Sequence, residues 1–182
     1  MKMSDSTAIF ALKSDGGVTE RYGQEPHRSI VETRKWIRER LVGKGNVDSL
    51  FWVFVPKTES RAIGSCCFWN FDQEFGSAEL GYEMHPSFWG KGIMSEALPP
   101  VISYGFGELG FHRIEACPID DNAPSKGVLT KLGFKYEGTL RQKVFFRGRF
   151  LDLAYYGLLN NEWKPTSNKE HFGNSLPDDN PL

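Results

Sequence analysis

No stretch of this 182-residue chain approaches the roughly 18 apolar residues that a membrane-spanning helix requires. The first residues contain no apolar segment of the kind that forms a secretory signal peptide. An internal repeat is absent as well. From these absences, and from a length that suits a single core, we expect one domain in the cytoplasm and no membrane partner.

Cysteine is scarce too, with three residues in the chain. Cys66 and Cys67 are adjacent, so on a strand they would point to opposite faces, where they are poorly placed to share one metal ion. His27, His112 and His171 have no companion at metal-ligand spacing. We therefore predict reduced thiols and no metal site.

Positive charge is not in excess, because 22 basic residues stand against 23 acidic ones, for a net charge of −1. Both signs are mixed along the chain, whereas a nucleic-acid surface needs a concentrated basic patch. We therefore expect no nucleic-acid partner. Apolar residues make up 40% of the chain, which is enough to build a sizeable core.

The first part of the chain has a helical pattern, followed by a block of strands. A first helix is predicted to begin near Asp5 or Ser6, and Ser29 with Glu32 forms a possible capping box for a second. The glycines and polar residues at 43–46 are expected to end that second helix. Strands are predicted at 51–55, 62–69 and 78–84, with a hairpin loop at 72–76.

The pattern becomes helical again from Met94, where apolar residues recur at helical spacing until Gly110 ends the helix. A strand at 111–117 and a short helix ending at Gly133 follow. Two further strands are predicted at 136–146 and 150–159. Few apolar residues remain after Trp163, so we predict a domain over 1–163 and a mobile tail over 164–182.

The junction at 85–94 carries the clearest chemical signal. It runs from a strand end through Gly90, Lys91 and Gly92 into a helix. Glycines let backbone N–H groups approach a phosphate, and a helix N-terminus adds partial positive charge. A glycine-x-glycine sequence before a helix also fits an ordinary tight turn, so it is a weak signal by itself.

Several stretches in order strengthen this signal. They are Ala-Glu-Leu-Gly-Tyr-Glu-Met at 78–84, Trp-Gly-Lys-Gly-Ile-Met-Ser-Glu-Ala at 89–97, the segment 122–134, and Leu-Leu-Asn-Asn-Glu-Trp at 158–163. Together they resemble the GCN5-related N-acetyltransferases (GNAT), and within them the group similar to ribosomal-protein N-terminal acetyltransferases. The resemblance implies an α/β domain with a mixed central sheet of splayed strands flanked by helices. It also implies acetyl-CoA as co-substrate and an amine as acceptor.

The resemblance assigns residues to the coenzyme. The main chain of Met84 and His85 is expected against the pantetheine arm. Asn122 is expected to contact that arm too, although an N-cap role alone explains an asparagine there equally well. The loop around the pyrophosphate would comprise Trp89, Gly90, Lys91, Gly92, Ile93 and Met94.

Acetyl transfer also needs a neutral amine and a proton for the leaving thiolate. Glu79 and Glu83 lie on one strand face, and Glu79 matches the family's Ala-Glu-Leu-Gly-Tyr pattern, so Glu79 is the predicted general base. Glu83, a water, or a merely structural role for Glu79 stay open. Ser125 is the predicted proton donor, with Tyr155 and Tyr156 as alternatives, and a main-chain N–H near Met84 is expected to stabilise the oxyanion.

Three departures from the family pattern stand out. The first helix begins almost at once, so an edge strand that the family usually has is absent or lies before the given start. An exposed sheet edge would then favour a homodimer. Ser87 replaces the Arg or Gln that often opens the loop, and Pro99 and Pro100 fall inside a predicted helix, where a kink is expected.

Two other functions remain open at this level. A coenzyme-A-binding module without turnover would keep the loop and would not need Glu79 or Ser125. An unrelated nucleotide-binding domain fits poorly, because Gly90-Lys91-Gly92 lacks the third glycine of a dinucleotide fingerprint and the spacing of a P-loop. The acceptor is open as well: a protein N-terminus, an amino acid, a polyamine and an antibiotic all fit.

Overall fold

The computed structural model describes residues 1–42 and 49–164. The helices are α1 Ser6–Lys13, α2 Gly16–Thr19, α3 Ile30–Val42, α4 Ile93–Gly107 and α5 Ala123–Lys131. The strands are β1 Ser49–Phe54, β2 Gly64–Asp72, β3 Ser77–Met84, β4 Arg113–Ala116, β5 Lys135–Phe146 and β6 Arg149–Leu159. Short 3-10 turns lie at Met3–Asp5, Glu20–Tyr22, Pro86–Phe88 and Asn160–Glu162. None of the helices in these ranges is long and apolar enough to cross a membrane.

The six strands form one sheet in the order β1-β2-β3-β4-β6-β5. All neighbours are antiparallel except β3 and β4, which run parallel. The parallel pairing covers only residues 77–79 against 113–115, whereas β3 continues to Met84. The two strands therefore part in the middle of the sheet, and the predicted mixed sheet with splayed strands is confirmed.

Helices cover both faces of the sheet. Trp52 and Phe54 of β1 pack in the larger core with α4, whereas Val53 packs with α1 and α3 in a smaller cluster. Because neighbouring strand residues point to opposite faces, α4 lies on one face and α1 with α3 on the other. The larger core contains several fully buried side chains, among them Phe68, Leu98, Ile102, Ile114 and Leu158.

Several predicted boundaries move. The predicted strand at 111–117 shrinks at both ends to β4, and at its start the N–H of Phe111 donates to the Gly105 carbonyl instead of to a strand. The helix predicted from Met94 is one continuous α4, which contains Pro99 and Pro100. Proline inside a helix removes a backbone donor, yet here it does not end the helix.

The start of the chain is helical, and residues 1–42 contain helices and turns without a strand in the structure as described. The Met1 ammonium donates to the Phe51 carbonyl at 3.1 Å, beside the outer strand β1. Ser29 caps α3 by accepting from the Glu32 N–H at 3.3 Å, whereas the Glu32 carboxylate accepts from the Arg28 N–H at 2.8 Å, so only the first half of the predicted capping box forms. The helix stop at 43–46 and the tail from 165 onward lie outside the described residues.

Candidate active site

The gap between β3 and β4 exposes main-chain groups of β3. The His85 N–H donates to the Ile63 carbonyl beside β2 at 2.9 Å. Because backbone groups alternate in direction along a strand, those of Met84 face the gap. The Met84 carbonyl accepts from the Trp89 indole at 2.7 Å. The Met84 N–H is thus the group at this end of β3 that a ligand in the gap would meet.

The loop between β3 and α4 is built around two glycines. Gly90 has φ +71° and Gly92 has φ +75°, a region that other residues enter only with strain. A Cβ at either position would meet no heavy atom within 4 Å. Conformation, not crowding, therefore requires glycine here, and the space beside the loop is open to a ligand.

The start of α4 supplies donors to that open space. Gly92 is the N-cap residue, and Ile93 and Met94 form the first turn. The first N–H groups of a helix have no partner within it and carry partial positive charge. The Lys91 ammonium lies 5.4 Å from the centre of the Phe88 ring and adds a full charge. The loop thus places backbone donors and positive charge beside an open space, an arrangement that suits an anion.

Asn122 begins α5 on the other side of the gap. Its side-chain oxygen accepts from the Ser125 N–H at 3.3 Å, which is the N-cap role. Its amide donates to the Arg21 carbonyl, also at 3.3 Å. These two bonds of the buried Asn122 tie the Glu20–Tyr22 turn to α5. The expected contact with pantetheine stays a prediction.

A pair of hydroxyls connects β3 to α5. The Tyr82 phenol on β3 lies 2.7 Å from the Ser125 hydroxyl on α5 and 3.2 Å from the Ser125 carbonyl. Burial raises the pKa of Tyr82 to about 12, so the phenol keeps its proton at neutral pH. Tyr82 is not among the predicted site residues, because strand alternation puts it with Leu80 on the apolar face. The available signal was that a buried tyrosine needs a hydrogen-bond partner.

The two carboxylates of β3 differ sharply. Glu83 is buried and bound to the Lys13 ammonium at 3.0 Å, the Tyr22 hydroxyl at 2.8 Å and the Ser65 hydroxyl at 2.9 Å. Glu79 is half-buried, and no group within the described ranges donates to its carboxylate. Glu79 is thus the carboxylate of β3 that is free to take a proton.

Glu79 lies where β3 and β4 begin to part, opposite Glu115 of β4. Burial first and the Glu115 charge second raise the pKa of Glu79 to about 7. A carboxyl with that pKa takes up and releases a proton near neutral pH. The described residues therefore offer an arrangement suited to an anion at the loop, a carboxyl that titrates near neutral pH at Glu79 and a hydroxyl at Ser125.

Of the two alternative donors, Tyr155 is engaged elsewhere, whereas Tyr156 lies near Tyr82, where its charge adds to the effect of burial on the pKa of Tyr82. The Tyr155 hydroxyl donates to Glu115. Tyr156 is buried, and its ring centre lies 5.6 Å from that of Tyr136. Across the described residues, no group of three or more histidine, cysteine or acidic side chains is placed to hold a metal ion.

Residues 1–135 match the family described as "Acetyltransferase (GNAT) domain". An uncharacterised N-acetyltransferase of Bacillus licheniformis is 35% identical over 167 residues, covering 90% of this chain and 92% of the relative. The ribosomal protein uS5 alanine N-acetyltransferase of Escherichia coli is 33% identical over 116 residues, 63% of this chain and 59% of that protein.

Solved structures share the fold. The ribosomal-protein-S5-alanine acetyltransferase of Vibrio fischeri superposes with a TM-score of 0.77 at 27% identity, over 91% of this chain and 93% of that one. A spermidine N-acetyltransferase of Vibrio cholerae, in complex with CoA and spermine, gives a TM-score of 0.80 over 89% of this chain and 94% of that one. Its identity of 20% supports likeness of fold alone.

Proposed function

Because the chain belongs to the acetyltransferase (GNAT) family, we propose that it transfers the acetyl group of acetyl-CoA to a primary amine by direct attack. Glu79 is the general base, and Ser125 is the proton donor to the leaving thiolate. The observation that carries this proposal is the difference between the two β3 carboxylates: Glu83 is bonded on both oxygens, whereas Glu79 is free at the split.

Acetyl-CoA supplies the thioester, and coenzyme A leaves as the free thiol after its sulfur takes up a proton. The open space beside Gly90 and Gly92 fits the close backbone approach that a pyrophosphate needs. The Met84 N–H, aimed at the gap, suits the oxyanion that develops on the attacked carbonyl. The proposed coenzyme residues are Met84, His85, Trp89, Gly90, Lys91, Gly92, Ile93, Met94 and Asn122.

Glu79 suits the base role because alkyl amines are mostly protonated near neutral pH and must lose a proton to attack. A base is most effective when its pKa lies near the working pH, and the pKa of Glu79 is about 7. The reaction then runs faster as pH rises through about 7, where Glu79 loses its proton.

Ser125 suits the donor role through its partner. A serine that gives its proton to a thiolate needs another, and Tyr82, 2.7 Å away, holds one at neutral pH. The proton passes from the Ser125 hydroxyl to the coenzyme sulfur and from Tyr82 to Ser125, and water returns a proton to Tyr82, so both hydroxyls end the cycle protonated. Both hydroxyls thereby act as one donor.

The acceptor is a protein N-terminal amine or a small molecule. Among relatives, one is named for the alanine of ribosomal protein uS5, and a fold neighbour is named for spermidine. A cytoplasmic location and a homodimer through the outer strand β1 stay predictions, as does the mobile tail.

Acetyl transfer by Glu79→Gln tests the proposal, with Glu74→Gln as control because Glu74 is exposed in the β2–β3 loop. A panel of peptide N-termini, amino acids and polyamines serves as acceptor. We expect kcat to fall about 10²- to 10⁴-fold in Glu79→Gln and to hold in Glu74→Gln. Calorimetry should give unchanged acetyl-CoA affinity for both. Full activity of Glu79→Gln rejects the base, and coenzyme binding without turnover of any acceptor favours the non-catalytic module.

A further inference from the structure

Two carboxylates face each other where β3 and β4 begin to part. Glu79 of β3 and Glu115 of β4 are register partners in the last pair before the strands separate. Partners in a parallel pair lie on adjacent strands about 5 Å apart and share one face of the sheet. Like charges at this spacing repel each other, so the arrangement costs free energy unless something holds it.

Glu115 is held on both of its oxygens. The Arg113 Nε donates to one oxygen at 2.6 Å, and the Tyr155 hydroxyl donates to the other. Arg113 is itself fixed, because its two terminal nitrogens donate to the Glu137 carboxylate on β5. Three strands therefore cooperate to keep one carboxylate in place, and no comparable bonds reach Glu79 within the described ranges.

We propose that Glu115 is a positioning residue for acetyl transfer, which acts on the reaction through Glu79 by placing a fixed second negative charge beside it. This inference rests on the proposed function, since it assumes that Glu79 is the base. Arg113 and Tyr155 occupy both oxygens of Glu115, and this leaves Glu79 as the carboxylate that exchanges the proton.

Other charged or titratable groups near Glu79 do not replace this effect. Cys67 on β2 and Cys117 after β4 are the neighbouring thiols, and burial raises the pKa of each to about 12, so both are neutral near pH 7. Glu83, on the same strand, is paired with the Lys13 ammonium. Arg113 carries a positive charge, but it is shared between Glu115 and Glu137. Glu115 is the charge opposite Glu79 in the register.

The direction of the effect follows from simple electrostatics. A negative neighbour disfavours the ionised form of Glu79, so it keeps the proton to higher pH and accepts protons more strongly. Replacing Glu115 by glutamine removes that charge. The acid limb of the rate profile should then move to lower pH, and the rate above the limb should fall because the base is weaker.

The experiment compares the kcat/KM profiles of the wild type and Glu115→Gln between pH 5 and 9 with one acceptor, so that the titration of the acceptor cancels in the ratio. We expect the midpoint to move down by on the order of one pH unit. The variant should be relatively faster at pH 5 to 6 and slower at pH 8. A purely structural defect lowers the rate at every pH and leaves the midpoint in place.

Glu137→Gln is the matched control, because it removes a carboxylate from the same Arg113 network without touching the pair at the split. Its midpoint should move clearly less than that of Glu115→Gln, because Glu137 acts on the pair only through Arg113. Tyr155→Phe keeps both carboxylates and releases one oxygen of Glu115, so it should move the midpoint less than Glu115→Gln. An equal shift in Glu137→Gln and Glu115→Gln overturns the proposal.

A carbon NMR titration of the Glu79 carboxyl, assigned with Glu79→Gln, needs no acceptor. If this titration moves down in Glu115→Gln while Glu79→Gln remains fully active, the coupling stands, the base assignment fails, and the catalytic role of Glu115 fails with it. If the Glu79 titration does not move, the inference fails whatever the activity. Loss of the acid limb itself in Glu115→Gln makes Glu115 the titrating base and overturns the proposal too.

Discussion

The phenolic oxygen of Tyr82 lies 2.7 Å from the hydroxyl oxygen of Ser125. The two residues belong to β3 and α5, and β3 borders the gap left when β3 and β4 part. Asn122 fixes the turn of α5 that carries Ser125, through its bond to the Ser125 N–H. The pair is therefore held by both elements, and this placement suits a proton donor that must not move during the reaction.

Removing either hydroxyl should slow the release of coenzyme A. We expect Ser125→Ala to lower kcat by about 10²-fold and Tyr82→Phe by less, because water can replenish the serine. The KM for acetyl-CoA should change little, since a group that acts in the transition state does not hold the ground state. Tyr104→Phe is the control, because its ring packs against Trp52 in the core. Steady-state kinetics checks this, and unchanged kcat in both variants contradicts the donor role.

The sequence carried enough information to predict most of the strands and the glycine turn before α4. Alternation at 78–84 and helical spacing after Met94 are local patterns, and the two glycines between them mark the required turn. The structure places Gly90 and Gly92 at positive φ, as a tight phosphate-binding loop needs. These features can be predicted from the sequence because the interactions that produce them lie within a few residues along the chain.

The difference between Glu79 and Glu83 could not be predicted in the same way. Glu83 owes its state to Lys13 and Tyr22, which lie about 60 to 70 positions earlier and come near only when α1 packs on the sheet. The raised pKa of Glu79 likewise depends on Glu115 across the sheet. Glu79 and Glu83 are the same residue type on the same face of β3, so the sequence pattern alone cannot tell which one is free.

The loop glycines give a second prediction. Gly92→Ala places a Cβ at φ +75° and should lower the free energy of unfolding by about 1 kcal/mol through strain, although nothing crowds the site. Relief of that strain turns the first N–H groups of α4, so acetyl-CoA should bind more weakly. Gly107→Ala at the other end of α4 also meets no atom within 4 Å and should be neutral or slightly stabilising.

Thermal unfolding with and without acetyl-CoA measures both effects. In the wild type, a hundredfold excess over Kd adds about 2.7 kcal/mol of stability. At the same concentration Gly92→Ala should gain clearly less, whereas Gly107→Ala should gain the full amount. A Gly92→Ala variant that is stabilised like the wild type shows that the backbone of the loop does not bind the coenzyme.

The third prediction concerns Glu83. Glu83→Gln leaves the buried Lys13 ammonium without its carboxylate, and breaking one partner of a buried ion pair costs about 3–5 kcal/mol. The exposed Lys35–Glu39 pair, 4.0 Å apart, provides the control, because Glu39→Gln should cost only about 0.3–0.5 kcal/mol. Urea denaturation of the two variants gives the comparison.

Kinetics on the same variants separates structure from chemistry. Under conditions where Glu83→Gln is folded, its pH–rate profile should keep an acid limb near pH 7, since Glu79 still titrates there. Adding Lys13→Met should recover part of the lost stability, because no unpaired charge then stays buried. The opposite pattern, normal stability with the acid limb lost, would make Glu83 the base. The ion pair with Lys13 argues against that outcome: a carboxylate engaged on one oxygen by Lys13 and Tyr22 and on the other by Ser65 must break these bonds before it can accept a proton from an amine.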